Sequence, residues 1–166
     1  MSRRFQIAVG AGVAAALLAV ALRMNFPVRA AAADAVVDYA SPLEVLLAPD
    51  GARLYVLCQQ SEEVRVLDAA SFVVIKKIAV GRVPRGFSLS HDGARLFVAN
   101  SWDDTLSVID TQTLTVTATW PVGADPSSVV EDRAGKLLFI AIRISNDVAV
   151  LDAQPGVEEK RLAAGL

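Results

Sequence analysis

The chain has 166 residues, enough for one ordinary domain, with 54% hydrophobic residues and a formal net charge of −2. The first 33 residues hold four arginines (Arg3, Arg4, Arg23, Arg29) and no acid, so the remainder carries 12 basic against 18 acidic groups, about −6. That balance argues against a nucleic-acid partner; one Cys (Cys58) excludes an intrachain disulfide, and one His (His91) with no C-x-x-C-H motif leaves no expected metal or haem cofactor.

Arg3 and Arg4 precede an uncharged run from Ile7 to Leu22, closed by Arg23 and followed by the small residues Ala30 to Ala33. A charged start, an apolar middle and small residues at a cleavage point are the order of a secretory signal. Sixteen apolar residues fall short of the roughly 20 needed to span a bilayer. Residues 1–33 are therefore expected to be an apolar signal helix, either cleaved or kept as an anchor. Export to the periplasm or the cell exterior follows, with membrane contact only through an uncleaved leader. Residues 34–41 form a lead-in.

From Pro42 onward one pattern returns every 42 residues without a gap. Pro84, Gly93, Leu96, Phe97, Val98, Val108, Asp110 and Gly123 match Pro42, Gly51, Leu54, Tyr55, Val56, Val66, Asp68 and Gly81. They return again as Pro126, Gly135, Leu138, Phe139, Ile140, Val150, Asp152 and Gly165. A fixed period of this size is one supersecondary unit repeated, and it divides the chain into 42–83, 84–125 and 126–166.

The middle unit reads as four short strands. The first is Gly86–Ser90, ended by the turn His91-Asp92-Gly93. Arg95–Asn100 is nearly all apolar, as a strand covered on both faces should be. Thr105–Asp110 alternates, with Leu106 and Val108 opposing Thr105 and Ser107. Thr115–Val122 alternates more strictly and is Thr-rich, as suits an outer edge. The third unit departs from this pattern in its first turn (Asp132-Arg133-Ala134-Gly135) and in its last strand, where Gly156, Glu158, Glu159 and Lys160 replace the Val/Thr alternation. Four-stranded antiparallel blades of about 42 residues predict an all-β fold, a β-propeller. Helical repeats are excluded by the missing 3.6-residue period.

These residues resemble the YVTN-repeat β-propellers, within the quinoprotein amine dehydrogenase β-chain-like superfamily. The tetrapeptide corresponds to Tyr55-Val56-Leu57-Cys58, Phe97-Val98-Ala99-Asn100 and Phe139-Ile140-Ala141-Ile142. It is flanked by P-D-G-x-x-L, V-x-V-[LI]-D and V-G-x-x-P. The resemblance implies a closed ring, commonly of seven blades, of which this chain supplies three. It is expected to be the N-terminal part of a longer protein, its ring closed by further blades or by a second copy.

His91 reads as a solvated turn residue, Cys58 as a small buried hydrophobe, and Asp68, Asp110 and Asp152 as acceptors for nearby backbone N–H groups. No catalytic or metal-binding residue is expected. The connections from second to third and from fourth to first strand emerge on one face, and they vary between units while the strands repeat. Arg82, Arg85, Trp102, Asp103 and Arg143 lie there and are the expected binding residues for an unknown protein or small ligand, although Trp102 could instead cover the blade below it. The function expected first is a binding or scaffold module. The alternative, drawn from the resemblance, is part of a lactonase-like or quinoprotein dehydrogenase-like enzyme with its active site largely outside this chain.

Overall fold

The computed structural model describes residues 39–165. The expected signal helix lies outside the described residues. The rest is β-structure throughout: β1 (Pro42–Leu47), β2 (Arg53–Cys58), β3 (Glu63–Asp68), β4 (Val74–Ala79), β5 (Pro84–Leu89), β6 (Arg95–Asn100), β7 (Thr105–Asp110), β8 (Thr115–Pro121), β9 (Pro126–Glu131), β10 (Leu137–Ile142), β11 (Asp147–Asp152) and β12 (Glu158–Ala163). They form three four-stranded antiparallel sheets in simple meander order, β1 to β4, β5 to β8 and β9 to β12.

The period governs the backbone as it does the sequence. Tyr55 pairs with Val66, Phe97 with Val108 and Phe139 with Val150, and a bulge recurs at Val66/Leu67, Val108/Ile109 and Val150/Leu151. Left-handed residues recur in every unit at four positions, represented by Ser41/Val83/Asp125, Gly51/Gly93/Gly135, Glu62/Asp104/Asn146 and Phe72/Leu114/Gly156, and Gly123 (φ 109°) adds one in the second unit alone. The last set closes the turn after the third strand. There Asp68 Oδ1 accepts the Ser71 N–H (2.7 Å) and Asp110 Oδ1 the Thr113 N–H (2.7 Å), the structural role expected of these aspartates.

The core lies between sheets. Tyr55, Leu57, Val64, Val66 and Ile78 of the first sheet pack on Phe87, Leu96, Val98 and Ile109 of the second. The opposite face of the second sheet (Phe97, Ala99, Leu106, Val108) packs on Leu138, Ile140 and Leu151 of the third. The second sheet is thus covered on both sides. For this reason the polar side of β7 is not solvated as its alternation suggested: Ser107 is only 2% exposed and accepts the Asn100 amide (2.8 Å).

β5, β8 and β12 differ from the sequence expectation. β5 starts at Pro84, paired with Asn100, rather than at Gly86, because proline is tolerated as the first residue of a strand. β8 ends at Pro121: the Val122 N–H still donates to the Asp104 carbonyl (3.0 Å) in register, but Asp104 is left-handed (φ 57°) and turns its chain out of the ladder. β12 forms despite its charged sequence, with every residue exposed. An edge strand needs only its ladder, and Arg161 pairs with Glu158 (2.7 Å) along it. The altered turn before β10 also survives. Gly135 keeps its left-handed φ of 67°, and the carboxylate lost at Ala134 is supplied by Asp132, which accepts the Lys136 and Leu137 N–H groups (2.7 and 3.1 Å).

Candidate functional site

The β2–β3, β6–β7 and β10–β11 loops share one face with the segments leading into β5 and β9. Each loop is tied to the lead-in of its own sheet by the same backbone bond: Gln59 N–H to Ser41 O (3.0 Å), Ser101 N–H to Val83 O (3.2 Å) and Arg143 N–H to Asp125 O (3.1 Å). On this frame the five expected residues fall into two groups.

Arg82, Trp102 and Asp103 form the first, at the seam between the first and second sheets. The Arg82 Nε–H donates to Asp103 Oδ1 (2.5 Å), its backbone N–H to Oδ2 (2.7 Å), and a terminal guanidinium nitrogen to the Trp102 carbonyl (3.2 Å). The Arg82 backbone N–H, and then its side chain, hold the Asp103 carboxyl below the usual range; the bond to Asp103 raises Arg82 in turn. Trp102 does not cover a blade. It is 65% exposed at the loop tip, so its ring is presented outward while its main chain is clamped.

Arg85 and Arg143 form the second group, at the seam between the second and third sheets, and they converge on Asp125, which the sequence puts on this face but does not single out as a binding residue. Asp125 Oδ2 lies 3.1 Å from an Arg143 terminal nitrogen, and Oδ1 lies 3.7 Å from Arg85 Nε. That second oxygen is buried and accepts no hydrogen bond. Asp125 is locked beneath the two cations by its left-handed backbone (φ 60°) and by its N–H, which donates to Asp104 Oδ1 (2.9 Å). A signal existed: the positions equivalent to Asp125 hold Ser41 and Val83, so an acid here is peculiar to one blade.

The opposite face holds a second unforeseen pair. Glu131, whose side chain is 3% exposed, accepts Arg95 (3.1 Å) and the His91 backbone N–H (2.7 Å). Arg95 also donates to the Ala153 carbonyl and lies over the Phe97 ring, so the pair staples two sheets together. His91 itself is exposed in its turn, and Cys58 is buried, as their sequence positions suggested. Among the described residues no group of three or more His, Cys, Asp or Glu side chains is placed to hold a metal ion.

No family model matches the chain, and no curated protein matches it. Solved structures do. A hydrazine synthase chain of Kuenenia stuttgartiensis is similar over 75% of this chain and 36% of its own length, at 28% identity and a TM-score of 0.71. Putative 6-phosphogluconolactonases of Bacteroides uniformis (22% identity, TM-score 0.63, 73% of this chain and 39% of that one) and Bacteroides fragilis (20%, 0.65, 75% and 40%) are similar in fold. This chain therefore spans well under half the length of these neighbours. All three are propellers of four-stranded antiparallel blades, and the described residues of this protein are three such blades.

Proposed function

We propose that the chain is an exported propeller segment, periplasmic or extracellular and part of a longer protein, that binds a partner through its loop-rich face. The observation that carries this reading is the Trp102 loop. A large aromatic ring stands in solvent on a backbone held by Arg82 and Asp103. Exposing a Trp is unfavourable in isolation, and clamping its loop removes in advance part of the ordering entropy that binding would cost. Trp and Arg are also the residues on which interface energy concentrates.

A photoreactive benzoylphenylalanine placed at position 102, in cells of the native host, should give one discrete cross-linked species. The same label at Gln112, in an exposed turn of the opposite face, should not. Arg82→Ala should weaken the adduct at 102, because the loop loses both of its side-chain clamps. Equal labelling from 102 and 112 would sink the reading.

A further inference from the structure

At the outer strands, one side chain bridges the seam between the second and third sheets. The Arg161 guanidinium donates to the Val122 carbonyl (2.9 Å), to both Glu158 oxygens (2.9 and 2.7 Å) and to Asp147 (3.2 Å). It lies so close to Gly123 that a Cβ there would stand 2.9 Å from its terminal nitrogens. Forty-two residues earlier the counterparts are Val80, Gly81, Thr105, Val116 and Thr119. The strand exit is the same, since the Val80 N–H donates to the Glu62 carbonyl (2.9 Å) as that of Val122 does to Asp104 (3.0 Å), but Gly123 is left-handed (φ 109°) and Gly81 is not. The arginine is gone. In its place the seam between the first and second sheets has a cleft of about 460 Å³, lined by Val80, Gly81, Asn100, Asp103, Thr105 and Thr119 among others.

The cleft keeps the backbone acceptor that Arg161 uses and has a carboxylate from another position. The Val80 carbonyl has no hydrogen-bond donor among the described residues. Asp103 and Asn100 approach the glycine together: a Cβ on Gly81 would lie 2.7 Å from Asp103 Oδ2 and 2.6 Å from Asn100 Cγ. Each Asp103 oxygen accepts one bond from Arg82, which leaves lone pairs on both. The floor is rigid, because Asn100 Oδ1 accepts the Gly81 N–H (3.1 Å) while its Nδ2 donates to Thr105 (3.0 Å) and Ser107 (2.8 Å).

We propose that this cleft takes an arginine side chain from a partner peptide, in the role that Arg161 fills at the neighbouring seam. A planar guanidinium reaches a carbonyl and a carboxylate at once, whereas an ammonium group is a point charge that engages them one at a time. The two acids that serve Arg161 are replaced here by Thr105 and Val116, and Asp103 is shared with Arg82. Affinity for the isolated side chain is therefore weak, with a Kd above about 1 mM. The site shares Asp103 with the loop-rich face but does not depend on the Trp102 reading.

The test is a titration of the full chain with N-acetyl-arginine amide, followed by amide NMR shifts. Saturable shifts are expected at Gly81 and the Asn100 side-chain amide and not at Gly123, with N-acetyl-lysine amide binding several-fold more weakly. Thr119→Arg, at an exposed position, should fill the cleft from within and abolish the shifts, while cross-linking from position 102 persists. Asp103→Asn should weaken binding. Absence of saturation, equal shifts at Gly81 and Gly123, or undiminished binding to the Thr119→Arg variant would each overturn the proposal. Loss of cross-linking in a variant that still binds arginine amide would instead count against the loop-face reading alone.

Discussion

Val83 is a β-branched residue at φ 48°, in the left-handed region that such side chains rarely adopt. Its counterparts Ser41 and Asp125 share the geometry (φ 51° and 60°) with side chains better suited to it. The conformation is imposed by the unit, which must turn the exit of one blade into the inner strand of the next. Left-handed backbone costs an L-residue roughly 1–2 kcal/mol, and asparagine tolerates it better. Val83→Asn is therefore expected to raise stability by about 1 kcal/mol at most, read as a higher urea midpoint with an unchanged m-value. Five carboxylates are held below their usual range: Asp68 by the Ser71 hydroxyl and N–H, Asp92 by the Ser90 hydroxyl, Asp103 by the Arg82 N–H, Asp110 by the Thr113 N–H, and Asp132 by the Leu137 N–H. A carboxyl depressed in the folded state contributes stability above its unfolded pKa of about 3.9 and loses it as pH falls through the folded value. Thermal melts should thus show a flat Tm from pH 7 to about 5 and a decline below about 4. That decline should be shallower in the Asp68→Asn/Asp110→Asn double variant.

At the scale of the strand, the two seams solve one packing problem with different chemistry. Arg53 donates to the Thr111 carbonyl and Arg95 to that of Ala153, 58 residues ahead in each case. The position beside Arg95 holds Glu131, whereas its counterpart at the other seam is Leu89. Glu131→Leu should therefore be tolerated, because Arg95 would then stand as Arg53 already does. Arg95→Leu removes the side-chain cation paired with a carboxylate 3% exposed, and should cost about 3 kcal/mol. Adding Glu131→Leu to it should recover most of that loss. The asymmetry between the two single variants, measured by chemical denaturation, is the prediction. Apolar contacts carry the rest of each seam: Phe97 is fully buried, and Phe97→Ala should cost about 3–5 kcal/mol.

At the scale of the molecule, sheets are held by their neighbours, and among the described residues only the second sheet has one on each side. Leu43, Val45 and Leu47 of β1 are each at least half exposed, as is Val130 of β9. Contiguous apolar side chains on an unpaired blade are an association surface. The chain should self-associate with rising concentration in light scattering, and Val45→Lys with Leu47→Lys should reduce that association. An unchanged mass in the double variant would place the contact elsewhere.

The 42-residue spacing of Pro84, Gly93, Phe97 and Asp110 was enough to place twelve strands, because a repeated pattern reports the same backbone three times and averages out local exceptions. Where a single unit departs from the pattern, the sequence misleads. Asp132 and Arg161 break the alternation yet preserve the turn and the edge, by hydrogen bonds and ion pairs whose partners are visible only in space. The five loop residues were legible as residue types on one face, since the meander order alone puts those connections together. Their pairing was not. Asp125 between Arg85 and Arg143, Glu131 beneath Arg95, and the open seam beside Asp103 all join residues from adjacent sheets. The period determines what each blade is; what lies between blades depends on side chains from two repeats meeting, and only the tertiary structure decides that.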